Sequence, residues 1–154
     1  MHFSFLSYSV NLTSYYRMAH LCLPGMVERQ HGCIINMASI QGLQSQPGVP
    51  AYAAAKGGIL SLTRQIAMEY AKYNVRAVSV CPGTVRTPLV TQLLEESGSS
   101  YENIQNKQLL QQGVGEALDI AETVLFLSSD RAKNITGEYL CNDGGMMAMG
   151  AWAT

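Results

Sequence analysis

A tyrosine and a lysine stand four residues apart in "YAAAK", Tyr52 and Lys56, inside an alanine- and glycine-rich run where they are the only large polar groups. Side chains at i and i+4 share one face of a helix, so this hydroxyl and this ammonium can point at the same spot. A cation held near a phenol lowers the phenol's pKa from its usual value of about 10 and makes it usable as a proton donor and acceptor closer to neutrality. The chemistry on offer is therefore general acid and base catalysis at an oxygen. Such a pair needs elements that hold it still and bring other groups to it.

The pattern of apolar residues supplies those elements. Val10, Tyr15, Met18, Cys22 and Met26 fall near helical spacing and predict a helix over residues 9–30, with Pro24 and Gly25 bending or shortening its end. "GCIINMAS" is a short continuous apolar run, as in a strand buried on both faces. Pro50 opens a helix to about Tyr73 whose stripe is Ala55, Ile59, Leu62, Ile66 and Tyr70, with Tyr52 and Lys56 at its edge. "VRAVSVCPG" reads as a second buried strand stopped by Pro82 and Gly83. Residues 89–114 are polar and hold one or two short helices in a long loop, "EALDIAETVLFLSSD" is a third helix, and "GEYLCNDGG" closes as a strand and turn. Helices alternating with strands predict an α/β chain with parallel strands joined by right-handed crossovers. In such a sheet ligands bind beyond the carboxyl ends of the strands, which here deliver Ser39, the Pro82-Gly83-Thr84-Val85 stretch and Asn142-Asp143-Gly144-Gly145.

The bulk numbers narrow the class. At 154 residues, with 47% hydrophobic and 14% charged residues, the chain is one compact domain's worth of material. Ten basic and eleven acidic residues, scattered, give a formal net charge of -1 and no surface for nucleic acid or an anionic membrane. The apolar runs are too short to span a bilayer, and "MHFSFLSYSV" lacks the basic start and small-residue cleavage site of a secretory leader, so a cytoplasmic chain is expected. The two N-x-T sequons, at Asn11 and Asn134, are then chance occurrences. Cys22, Cys33, Cys81 and Cys141 are far apart in sequence and read as reduced, buried thiols. His2, His20 and His31 have no metal-ligand spacing, and no metal site is expected.

Taken together, "NMASIQG" with Ser39 thirteen residues before Tyr52, "YAAAK", "CPGTVRTP" and "ITGEYLCNDGG", in that order, resemble the short-chain dehydrogenase/reductase family over nearly the whole chain. The resemblance implies a Rossmann-like parallel sheet with flanking helices. It implies roles residue by residue. Tyr52 would exchange a proton with the substrate oxygen as hydride moves to or from a nicotinamide, NAD or NADP. Lys56 would lower the tyrosine's pKa and hold the nicotinamide ribose, and Ser39 would polarise the substrate carbonyl. Asn11, in "VNLTS", would anchor a water in a proton relay. Pro82 and Gly83 would shape the turn under the nicotinamide, with the Val85 backbone and the Thr87 hydroxyl on its carboxamide. Read without the family, Ser39 and Asn11 could simply cap local turns, Thr87 could cap a helix begun by Pro88, Asp143 makes a turn, and Met146, Met147 and Met149 are packing.

The family's glycine-rich T-G-x-x-x-G-x-G turn, which holds the dinucleotide pyrophosphate, has no match in this sequence. The expectation is a single partial domain over residues 1–154, truncated to about three strands, with "CIINMA" as an exposed apolar edge and Leu125 and Phe126 uncovered. Its partners would be a small alcohol or carbonyl substrate and a second copy, a homo-oligomer formed through the helices at 9–30 and 50–73, where Ala53, Ala54, Gly57 and Gly58 allow close approach. Two functions follow: an oxidoreductase, or a non-catalytic short form that pairs with full-length relatives.

Overall fold

A computed structural model describes residues 5–110 and 113–149. Three strands, β1 (Gly32–Met37), β2 (Val75–Pro82) and β3 (Tyr139–Asn142), form a parallel sheet in the order β1-β2-β3. The helices are α1 (Phe5–Tyr8), α2 (Ser14–Glu28), α3 (Pro50–Tyr70), α4 (Pro88–Ser97), α5 (Tyr101–Gln105) and α6 (Ala117–Ser128). The architecture is the expected α/β one, and the stretch 89–114 holds all of α5 and all but the first residue of α4; residues 111 and 112 lie outside the described residues.

The first helical region differs from the sequence reading at both ends. It is already helical at Phe5, the first described residue, and a π turn over Ser9–Thr13 joins α1 to α2. Pro24 neither ends nor shortens it. The hydrogen bond that proline cannot make would go to the carbonyl of His20, an exposed residue, so water can serve that carbonyl instead. The second helix follows expectation: Pro50 sits in its first turn, where the missing N–H costs nothing, and its buried side chains include Ala51, Ala55, Ile59, Ile66 and Ala67.

Alternation along β2 divides the core. Val75 and Ala77 pack with Ala19 and Leu23 of α2 and with Ile66 and Ala67 of α3, while Cys81 packs with Ile59 and Leu60 of α3. Val78 and Val80 point the other way, onto Ile120 and Leu127 of α6. Helices α3 and α6 therefore lie on opposite faces while the strand order advances in one direction, so the two crossovers have opposite hands. The expectation of right-handed connections holds for one of them at most. The link from β2 to β3 runs from Gly83 to Glu138 through α4, α5 and α6, which is enough chain to bring α6 round to the far face.

Two exposed features match the sequence reading. β1 is an edge strand, with an apolar cavity of about 440 Å³ between it and α2, lined in part by Met18, Cys22 and Ile34. Leu125 is 64% exposed and Phe126 39%. The reading of buried thiols holds only in part: Cys81 is buried, Cys33 and Cys141 are half-buried and Cys22 is exposed, and Cys81 and Cys141, remote in sequence, are direct partners in the register of β2 and β3. Gly58 is consumed within the chain, since a Cβ there would stand 2.9 Å from the Leu12 side chain. No described helix is long and apolar enough to cross a membrane.

Candidate active site

The end of β1 organises the centre. Ser39 follows the strand by two residues, is buried, and accepts a hydrogen bond from the Gln41 N–H at 3.1 Å, capping the short turn Ile40–Gly42. That is the local role the sequence allowed for it, and an accepting hydroxyl still has its proton to donate. Gly42 lets this turn lie against α3, for a Cβ there would come within 2.8 Å of the Lys56 carbonyl. Tyr52 lies in the first turn of α3, half-buried, and its hydroxyl makes no hydrogen bond among the described residues. Lys56, one turn on, is only 5% exposed. Its Nζ donates to the carbonyl of Met37, the last residue of β1, at 2.9 Å.

Lys56 is flanked by two phenol rings, with Nζ 5.5 Å from the Tyr52 centroid and 5.4 Å from that of Tyr15. Burial pushes the Lys56 pKa below the usual lysine range. The Tyr15 hydroxyl donates to the same Met37 carbonyl, at 3.1 Å, and burial, aided by Tyr52, pushes its pKa up. The sequence reading placed Tyr15 in an apolar stripe and missed it as a neighbour of the pair. The available signal was its spacing of four from Asn11, which puts both on one helical side. Asn11 itself lies in the π turn, half-buried, and its side chain makes no hydrogen bond among the described residues.

The ends of β2 and β3 form the adjoining wall. Pro82 ends β2, and Gly83 donates its N–H to the Asn142 carbonyl at 3.0 Å. A Cβ on Gly83 would meet the Asp143 backbone at 2.9 Å, so only glycine lets these strand ends close. Asp143 accepts from the N–H groups of Gly145 and Met147, at 3.0 and 2.8 Å, and so makes the turn read from sequence. Val85 bridges to Gly115 through the Arg86 N–H, which donates to the Gly115 carbonyl at 2.8 Å. The Thr87 hydroxyl caps α4 by accepting from Val90 N–H at 3.2 Å. Met146 and Met147 pack on the core near Ile59, as packing material should.

Below this wall are two buried groups of a different kind. Burial, with Cys141 alongside, pushes the Cys81 thiol up to about 12, so it is an inert neutral group beneath the site. Asn36 donates to Thr63 at 2.8 Å, Ser79 lies 2.8 Å from the same hydroxyl, and Thr63 donates to the Ile59 carbonyl at 2.8 Å. This trio rivets α3 to β1 and β2. No group of three metal-binding side chains is brought together among the described residues.

The family model described as enoyl-(acyl carrier protein) reductase matches residues 6–147. The chain is 42% identical over 144 residues to 2-(S)-hydroxypropyl-CoM dehydrogenase 3 of Xanthobacter autotrophicus, which covers 92% of this chain and 56% of that protein. An oxidoreductase of the short chain dehydrogenase/reductase family from Burkholderia thailandensis superposes with a TM-score of 0.87 at 38% identity, covering 93% of this chain and 56% of that one. A mutant 4-hydroxyisoleucine dehydrogenase, complexed with NADH and succinate, superposes with a TM-score of 0.86 at 33% identity, covering 96% and 62%. The chain belongs to the short-chain dehydrogenase/reductase family. It spans about half the length of the curated relatives it matches.

Proposed function

We propose that the chain carries the catalytic, nicotinamide-side half of an NAD(P)-dependent oxidoreductase acting on a small alcohol or carbonyl. The observation that carries this reading is the buried Lys56 ammonium beside the Tyr52 ring, bonded to Met37 at the carboxyl end of β1, which Ser39 follows by two residues. The residues present fit the nicotinamide riboside end of the cofactor. Lys56 spends one N–H on Met37 and keeps two for ribose hydroxyls. The bridge to Gly115 leaves the Val85 N–H and carbonyl without a partner among the described residues, and the Thr87 hydroxyl, which only accepts from Val90, can donate to a carboxamide. Bound there, the cofactor would supply or take up hydride.

In this mechanism Ser39 donates its hydroxyl proton to the substrate oxygen and fixes its position. Tyr52 gives that oxygen a proton in reduction, or takes it in oxidation, and the lack of a hydrogen bond to its hydroxyl among the described residues leaves it available. The Lys56 ammonium stands beside the ring, 5.5 Å from its centroid. Asn11, on its π turn, would pass protons onward through water. Exposed Phe5, Leu6, Val10 and Leu21 on α1, the π turn and α2 support pairing with a second copy.

Titrating the labelled chain with reduced nicotinamide mononucleotide tests the site. Resonances of Lys56 and Val85 should move together, and no movement at millimolar ligand would overturn the reading. For the chemistry, Tyr52→Phe keeps the ring and removes the proton, so single-turnover hydride transfer should fall by about a hundredfold or more. A rate unaffected by that change would remove Tyr52 as the acid.

A further inference from the structure

We propose that Tyr15 is a positioning residue for Lys56: its ring covers one side of the ammonium, and its hydroxyl occupies one lone pair of the Met37 carbonyl, so that Lys56 spends a single N–H there. This rests on the reading of Lys56 as the group that holds the nicotinamide ribose. Two donors converge on one oxygen, Tyr15 Oη at 3.1 Å and Lys56 Nζ at 2.9 Å. A carbonyl oxygen has two lone pairs, and both are then filled. Without the Tyr15 hydroxyl, the second lone pair would be open to another N–H of the same ammonium or to water, and the remaining donors would lose their fixed direction.

The ring does a second job. Lys56 lies 5.4 Å from the Tyr15 centroid and 5.5 Å from that of Tyr52, within the range where a cation is attracted to a ring. Tyr15 also lines the apolar cavity of about 440 Å³ between α2 and β1. The ring borders that cavity and faces the ammonium, and a smaller side chain would open space for water beside Lys56. Simple packing of Tyr15 against the Ile59 and Leu60 cluster accounts for its burial, but not for a hydroxyl and a lysine sharing one acceptor.

The test reads Lys56 directly and needs no turnover. The chain has four lysines, so isotope-labelled side-chain signals are few, and that of Lys56 is identified by its loss in Lys56→Met. In Tyr15→Leu, the ring-current shift that Tyr15 imposes on the Lys56 ε-methylene should vanish, and exchange of its Nζ protons with water should quicken about tenfold. Lys72, Lys107 and Lys133 should not change. In Tyr15→Phe the ring-current shift should persist while the Met37 carbonyl resonance moves. An unchanged Lys56 in Tyr15→Leu would overturn the proposal. Should Tyr15→Leu lose its amide dispersion through unfolding, Tyr15→Phe decides, and an unmoved Met37 carbonyl there overturns it equally. Failure of either leaves the Tyr52 chemistry standing, whereas normal hydride transfer by Tyr52→Phe would sink the catalytic reading without altering these spectra.

Discussion

The two faces of the sheet are built by different rules. Toward α2 and α3 the core admits polar groups, and those named here have partners: Asn36 and Ser79 each donate to Thr63, and Lys56 donates to Met37. Toward α6 the buried packing rests on apolar side chains, Val78, Val80, Ile120 and Leu127, while the half-buried Arg76 beside them donates to the carbonyls of Leu127, Ser129 and Ile135, and Leu118 and Leu125 remain in solvent on the helix. A buried polar group costs free energy unless it is hydrogen-bonded, so it survives only where neighbouring elements fix its partners. The first face has two helices, α2 and α3, to do this; the second has α6 and the turn that follows it. The candidate chemistry sits on the face that holds the buried polar side chains Asn36, Lys56, Thr63 and Ser79.

Substitutions on each face can break this contrast. On the apolar face, Leu127→Ala should lower stability by about 3 kcal/mol through lost burial and a cavity, read as a shifted denaturant midpoint with unchanged slope. On the polar face, Thr63→Val preserves shape yet strands Asn36 and Ser79, and should cost about 2 kcal/mol. Adding Ser79→Ala to it should cost little more, because the partner it removes is already unsatisfied; simple additivity would mean the trio is not a unit.

A pH effect of smaller size should also belong to the polar face. The Cys81 pKa is raised to about 12 in the folded chain, above its ordinary value. The unfolded chain loses that proton first, so the contribution of Cys81 is fully present below the ordinary thiol pKa and is lost as pH climbs toward 12. Cys81→Ala should flatten the alkaline decline in melting temperature. Lys56 runs the other way. Its folded pKa is lowered, so burial counts against the folded chain below that value and ceases to as pH rises to the ordinary lysine range. Lys56→Met should therefore steepen the alkaline decline, and an unaltered profile would mean that Lys56 is not desolvated. Least of all, Leu125→Asn should change stability by under about 0.5 kcal/mol, since the side chain is mostly in water already.

Local spacing made part of this legible in the sequence. Tyr52 and Lys56 were readable because i and i+4 fix a shared helical side, and Pro50 because its place in a first turn is a chemical necessity. Ser39, Thr87 and Asp143 announced turns and caps, which they make. What escaped depends on contacts between distant segments. Cys81 meets Cys141 only through the register of β2 with β3. Tyr15 reads as one more apolar residue until β1 presents the Met37 carbonyl to its hydroxyl. The hand of the second crossover follows from which face α6 covers, and its alternating residues do not encode that.

The opposed crossovers also set an order of assembly. β1, α3 and β2 are consecutive, and their register joins Gly32 to Val75 across one helical link, so this unit closes with a modest loss of chain freedom. β3 reaches β2 only after the chain from Gly83 to Glu138 has travelled to the other face, and only four residue pairs reward it. The strand that completes the wall with Asp143 is thus the last to arrive and the first to leave. In native-state hydrogen exchange, the amides of β3 should open at lower free energy than those of β2, with the floor of the site loosening while the Tyr52 and Lys56 helix stays in place.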